Sequence, residues 1–131
     1  MVNVSKEVKE LRGVFSDVSR TDFVRFDDFD AIQVTYKTDS FLESDYEVVI
    51  AFPPSYPNKE PYAFVLEPEI KGSCPHIYGK DDGVARICYI DPDEWSYLYT
   101  SYDAAVMIKS WIYAYSNWES TGNWDWEEAE H

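Results

Sequence analysis

Residues Tyr46–Val65 read YEVVIAFPPSYPNKEPYAFV. The first seven, Tyr46–Phe52, are β-branched and aromatic, the composition of a β-strand. Pro53, Pro54, Pro57 and Pro61 then fall within nine residues. Proline lacks the N–H that a sheet or helix interior needs, so this segment is a rigid loop that delivers the chain to another strand, Tyr62–Glu67. Upstream, Ala31–Tyr36 (AIQVTY) has the same strand composition and is joined to Tyr46 by the polar turn Lys37–Asp45. Asp27–Asp30 is read as a polar loop. Before it, Val4, Val8, Leu11 and Phe15 form one apolar stripe at helical spacing, with Lys6, Glu7, Lys9, Glu10 and Arg12 around it.

Downstream the pattern changes. Pro68 to Trp95 shows no long period of either kind, and this stretch of 28 residues is expected to be a long functional loop. Its one apolar patch is Val84–Ile90 (VARICYI), which contains Cys88. Ala104, Ile108, Trp111, Tyr115 and Trp118 then repeat at 4, 3, 4, 3, the seam of an amphipathic helix. Thr100 or Ser101 is placed to cap it, with Asp103 in its first turn, and Gly122 to stop it. Trp124 and Trp126 are expected to anchor the tail by burying their rings. The expected plan is α+β: an N-terminal helix, an antiparallel meander, a long loop, a C-terminal helix and a tail.

The 131 residues suffice for one domain, with a core over about 2–118 and an aromatic, acidic tail over 119–131. They carry 25 Asp and Glu against 11 Lys and Arg, a net charge of -14. Phosphates repel such a surface, so neither nucleic acid nor an anionic membrane is an expected partner. With 45% hydrophobic and 18% aromatic residues the chain is acidic without the composition of disorder. Residues 1–20 hold four basic and three acidic groups, net +1, so the first helix is the region without acidic excess. No window approaches 18 uninterrupted apolar residues and no secretion signal is read, which points to the cytoplasm. Cys74 and Cys88 are too few for a disulfide framework and are read as thiols. With His76 and the terminal His131 they do not make a zinc set, and no metal or other cofactor is expected.

Three segments together resemble the ubiquitin-conjugating enzyme (UBC-fold) family. Phe52-Pro53, Tyr56-Pro57 and Pro61 match its strand-end and proline pattern. Gly83 to Ile87-Cys88-Tyr89 matches the setting of its catalytic cysteine, with a two-residue insertion. Trp95-Ser96 and Thr100 match the motif that opens its next helix, with Tyr97 in place of proline. The short acidic chain is similar to small bacterial members found in cyclic-oligonucleotide-based antiphage signalling (CBASS) operons. The resemblance implies a UBC-like α+β fold and a transferase. It would accept a protein C-terminus, such as that of a cyclic-oligonucleotide synthase, as a thioester on Cys88 and pass it to a lysine of a target protein. The alternative is a non-catalytic UBC-like or RWD-like binding module, which usually lacks the cysteine in this setting.

Cysteine suits the transfer because a thiolate is both a strong nucleophile and a fair leaving group. Arg86 is the nearest cation in sequence. Asp91 and Asp93 follow closely and are candidates for a gate that holds an incoming ammonium. The family's His-Pro-Asn motif has no direct match: Cys74-Pro75-His76-Ile77-Tyr78 stands there instead. His76 is therefore a candidate structural or catalytic histidine, His131 a second catalytic candidate, and Tyr78 or backbone N–H groups are candidate donors to an oxyanion. Lys6, Lys9 and Arg12 form the patch on which an acidic partner could dock, and the resemblance assigns that helix to an activating enzyme. No nucleotide-binding glycine loop is present, so activation of the donor is expected to occur elsewhere.

Overall fold

The computed structural model describes residues 2–124. Its elements are α1 (Val4–Leu11), β1 (Phe23–Phe26), β2 (Phe29–Tyr36), β3 (Tyr46–Phe52), β4 (Tyr62–Glu67), β5 (Ile77–Asp81), β6 (Val84–Ile87) and α2 (Ser101–Thr121). The architecture is α+β: the strands form one antiparallel sheet in the order β1-β2-β3-β4-β6-β5, with a helix at each end of the chain order. The bounds of β3 and β4 are those expected from the sequence, and the proline loop between them lies where the missing N–H groups require it.

Two expected loops are hairpins instead. The Asp27–Asp30 segment contracts to the two-residue turn Asp27-Asp28, both with positive φ, joining β1 to β2. The long Pro68–Trp95 stretch contains β5 and β6, joined by Asp82-Gly83, again with both φ values positive. Such turns match the right-handed twist of the flanking strands. Gly83, at φ +80, is a residue whose lack of Cβ suits that geometry. The strands themselves leave little pattern, because β1 has only four residues and β5 is mostly exposed.

The sheet has two unlike faces. On one, Ile32, Val34, Val48, Ile50, Val65, Ala85 and Ile87 pack with Val8 and Leu11 of α1 and with Ala104, Ile108, Trp111 and Tyr115 of α2. Trp111 stacks on Tyr115 with centroids 5.3 Å apart and planes at 3°. Tyr36 is buried among them and donates to the Ala105 carbonyl at 2.7 Å. On the other face a small cluster, Ala31, Val49 and Ala51, is shielded by half-buried side chains of the sheet itself, including Phe26, Phe29, Tyr62 and Phe64.

α1 is shorter than its apolar stripe. It ends at Leu11, and Phe15 reaches the core beyond it, edge-on to Tyr36. Gly13 permits the close approach of Tyr102: a Cβ there would lie 2.8 Å from the Tyr102 ring. Glu7, expected on the polar surface, is buried and accepts a hydrogen bond from Tyr56, fastening α1 to the proline loop. α2 is capped as expected. The Thr100 N–H and hydroxyl both donate to the Asp103 carboxylate, at 2.8 and 3.1 Å. Gly122, at φ +81, donates its N–H to the Trp118 carbonyl and ends the helix. Trp124 packs against Trp111 and His76, as an anchor should. Trp126 and His131 lie outside the described residues.

Candidate active site

Alternation along β6 sets the position of Cys88. Ala85 and Ile87 enter the main core, while Val84 and Arg86 face the open side of the sheet. The next residue on the open side is Cys88. Its N–H donates to the His76 carbonyl at 2.9 Å, which prolongs the β5–β6 pairing by one residue. Its neighbours are held firmly. Ile87 is buried, and Tyr89 is buried with its hydroxyl donating to the Pro61 carbonyl. The thiol is thus half-buried on a rigid backbone, and its S–H points to the Ile90 carbonyl at 3.6 Å.

Tyr78, an exposed residue of β5, lies beside this thiol, near enough for the two groups to influence each other. Burial of the phenol raises its pKa most, the hydrogen bond to Cys88 and the charge there add to the rise, and Glu60 contributes further; Arg86 opposes it. The phenol therefore keeps its proton and is a donor at neutral pH. Arg86 holds it in place, with its guanidinium carbon 4.3 Å from the Tyr78 centroid and 3.8 Å from the Tyr62 centroid. Lys59 approaches the Tyr62 ring as well, at 5.3 Å. The cation nearest Cys88 in sequence thus stacks on the phenol that lies beside the thiol. Beneath lies Glu60, 3% exposed, with one carboxylate oxygen lacking a hydrogen-bond partner among the described residues. Neither Glu60 nor Tyr62 stands out in the sequence: the acid falls between Lys59 and Pro61 in what reads as an ordinary polar loop.

The His76 backbone links β5 to the cysteine and to α2. At φ +62 its carbonyl accepts both the Cys88 N–H and the Trp111 indole N–H, the latter at 3.1 Å. Its ring lies 5.1 Å from that of Trp124, and burial lowers its pKa, so it is neutral at pH 7. Asp91 and Asp93 are exposed in the turn after the cysteine. Asp91 accepts from the Asp93 N–H at 2.9 Å and shapes the 3-10 turn Pro92–Glu94, which leaves the Asp93 carboxylate to solvent. Trp95 is buried behind this turn and donates to the Pro57 carbonyl at 2.8 Å. The exposed Lys6, Lys9 and Arg12 lie on and just past α1, but Arg12 is tied to the Val18 carbonyl at 3.0 Å. Cys74 belongs to the main core, its S–H donating to the Pro75 carbonyl, and burial pushes its thiol up to about 12. Both cysteines are free thiols.

Chemically the arrangement offers one accessible thiol with a phenolic donor against it. Among the described residues no three His, Cys, Asp or Glu side chains are grouped to hold a metal ion, and no helix is long and apolar enough to cross a membrane. Residues 8–131 match the family model described as "Type II CBASS E2 protein". No curated protein matches the chain, and no solved structure does.

Proposed function

The chain belongs to the type II CBASS E2 family, and from that premise we propose that Cys88 is the nucleophile of a thioester-forming protein transferase. The observation that carries this reading is the contrast between its half-exposed thiol, met by Tyr78, and the buried thiol of Cys74. In the loading step the Cys88 sulfur attacks the activated C-terminal carbonyl of a donor protein. A carbon–sulfur bond forms and the donor's leaving group departs with the proton. In the transfer step a lysine amine attacks that carbonyl, the carbon–nitrogen bond forms, the carbon–sulfur bond breaks, and the thiol recovers a proton.

Tyr78 takes the role of the absent asparagine. Its O–H is placed to meet negative charge on sulfur or on the tetrahedral oxygen, where a preorganised donor lowers the barrier most. The exposed Asp93, with Asp91 holding its turn, attracts the ammonium of the acceptor. Lys6 and Lys9 offer an acidic partner, such as an activating enzyme, the cationic face that the rest of the chain lacks. In a CBASS operon the donor that fits this chemistry is the C-terminus of the cyclic-oligonucleotide synthase.

The test is to incubate the chain with the synthase encoded beside it, any activating enzyme of the operon, and ATP. A dithiothreitol-sensitive adduct on a non-reducing gel is expected from the wild type and from Cys74→Ala, and none from Cys88→Ala. An adduct that survives Cys88→Ala overturns the assignment. Absence of any adduct favours the non-catalytic binding module.

A further inference from the structure

Among the described residues two carboxylates are buried, Glu7 and Glu60. Glu7 serves the fold: it accepts the Tyr56 hydroxyl at 2.8 Å. Glu60 differs, since one of its oxygens has no hydrogen-bond partner among the described residues. A buried, unsatisfied charge is costly, so its place calls for an opposite charge nearby. Arg86 supplies one. Glu60 and Arg86 line the same crevice with Tyr62, Tyr78 and Tyr89, and that crevice has no room for a water molecule. The Arg86 Nε is likewise buried and without a partner among the described residues. The two side chains form no ion pair. They attract across a dry gap, where charge is screened far less than in water.

Arg86 also has a competing exit. It lines the open face of the sheet together with the exposed Asp27, Asp81 and Asp82, which would draw a free guanidinium outward. It stays instead between two rings, 3.8 Å from the Tyr62 centroid and 4.3 Å from that of Tyr78. Stacking at a half-exposed site is a weak hold by itself, and the buried negative charge adds to it. That charge is felt at the phenol too: after burial and Cys88, Glu60 adds to the rise of the Tyr78 pKa. We propose that Glu60 is a positioning residue, whose buried carboxylate retains the Arg86 guanidinium between Tyr62 and Tyr78 and so fixes the Tyr78 phenol beside Cys88. The inference rests on Cys88 being the thioester nucleophile and Tyr78 its donor.

The acetyl-glycine thioester of mercaptoethanesulfonate tests this without an activating enzyme. The Cys88 sulfur forms the new carbon–sulfur bond, mercaptoethanesulfonate leaves with the proton as its thiol, and intact-protein mass reports the rate. Glu60→Gln removes the charge and keeps the shape; it is expected to slow loading by about three- to tenfold, no more than Tyr78→Phe does. In the Tyr78→Phe background the same substitution should change the rate by less than about twofold, because a residue that acts through Tyr78 has nothing left to act on. Glu60→Asp retains the charge and should recover most of the loss. Arg86→Gln reaches the same contact from the half-exposed side, so the test does not depend on a buried substitution folding. It should reproduce the Glu60→Gln loss, and the two combined should add nothing further. Carbon NMR of ring-labelled tyrosine gives a readout independent of the sulfur. The Tyr78 signal, identified by its loss in Tyr78→Phe, should move towards that of free tyrosine in Glu60→Gln and in Arg86→Gln. Equal slowing in both backgrounds, or an unmoved Tyr78 signal, would discard the positioning role and leave the nucleophile standing. Failure of the wild type to be acylated at Cys88 would overturn the nucleophile and the positioning role together.

Discussion

The two faces of the sheet each hold one cysteine, and the chemistry available to the two differs. Cys74 lies on the helix-covered face, where burial raises its thiol to about 12 and its S–H is committed to the Pro75 carbonyl. Cys88 lies on the open face, half-exposed, with the Tyr78 phenol beside it. The covered face is built by two helices and large apolar side chains; the open face is shielded by aromatic rings from its own strands. Stability and reactivity are thereby assigned to opposite sides of one layer. A nucleophile needs access, and a core residue needs its absence.

This division can be broken most sharply by stability. Trp111→Ala removes a fully buried indole from the covered face and should cost about 3–5 kcal/mol in urea unfolding. Phe64→Ala on the open face should cost less, about 1–2 kcal/mol, since that ring is only partly buried. Equal costs would mean that the open face is a second core rather than a working surface.

A smaller effect sharpens the reactive side. Tyr78→Phe keeps the ring under Arg86 but deletes the donor, and should slow thioester loading of Cys88 by about tenfold with an unchanged unfolding midpoint. An unchanged loading rate would reduce Tyr78 to packing.

The smallest expected effect concerns the covered cysteine and pH. Iodoacetamide at pH 8.5 should modify Cys88 and spare Cys74, as peptide mass mapping would show. The Cys74 pKa is raised in the folded chain above the ordinary thiol value of about 8.5. Its contribution to stability is therefore complete below that value and is lost as pH rises towards 12. Cys74→Ala should make the thermal midpoint fall less steeply across that window. Alkylation of Cys74 as fast as Cys88 would erase the distinction between the faces.

Much of this division could be read from residues alone, and the unreadable parts have a physical cause. β3, β4 and α2 were legible because each buries a regular set of side chains, so period and composition report them directly. β1, β5 and β6 were hidden: four or five residues are too few to establish alternation, and β5 is mostly exposed. The Asp82-Gly83 pair was the local signal for the second hairpin, masked by the irregular sequence around it. At the site, Cys88 was marked by flanking motifs and Tyr78 by its place in the stretch that lacks asparagine. Glu60, Tyr62 and Phe64 carried no mark, because they come to the cysteine through pairing of β4 with β6, not through proximity in sequence.

Motifs that resemble a known family singled out Cys88 over Cys74; the sequence by itself determined the α+β class, the caps and stop of the second helix and the rigid proline loop. These depend on local rules, where a residue's own backbone limits or its neighbours at short spacing decide the outcome. Only the tertiary structure decided that Tyr78 lies beside Cys88, that Arg86 is held between two rings, and that the His76 carbonyl accepts the Cys88 N–H. Each of these is a contact across strands, and strand register and sheet twist are properties of the packed whole.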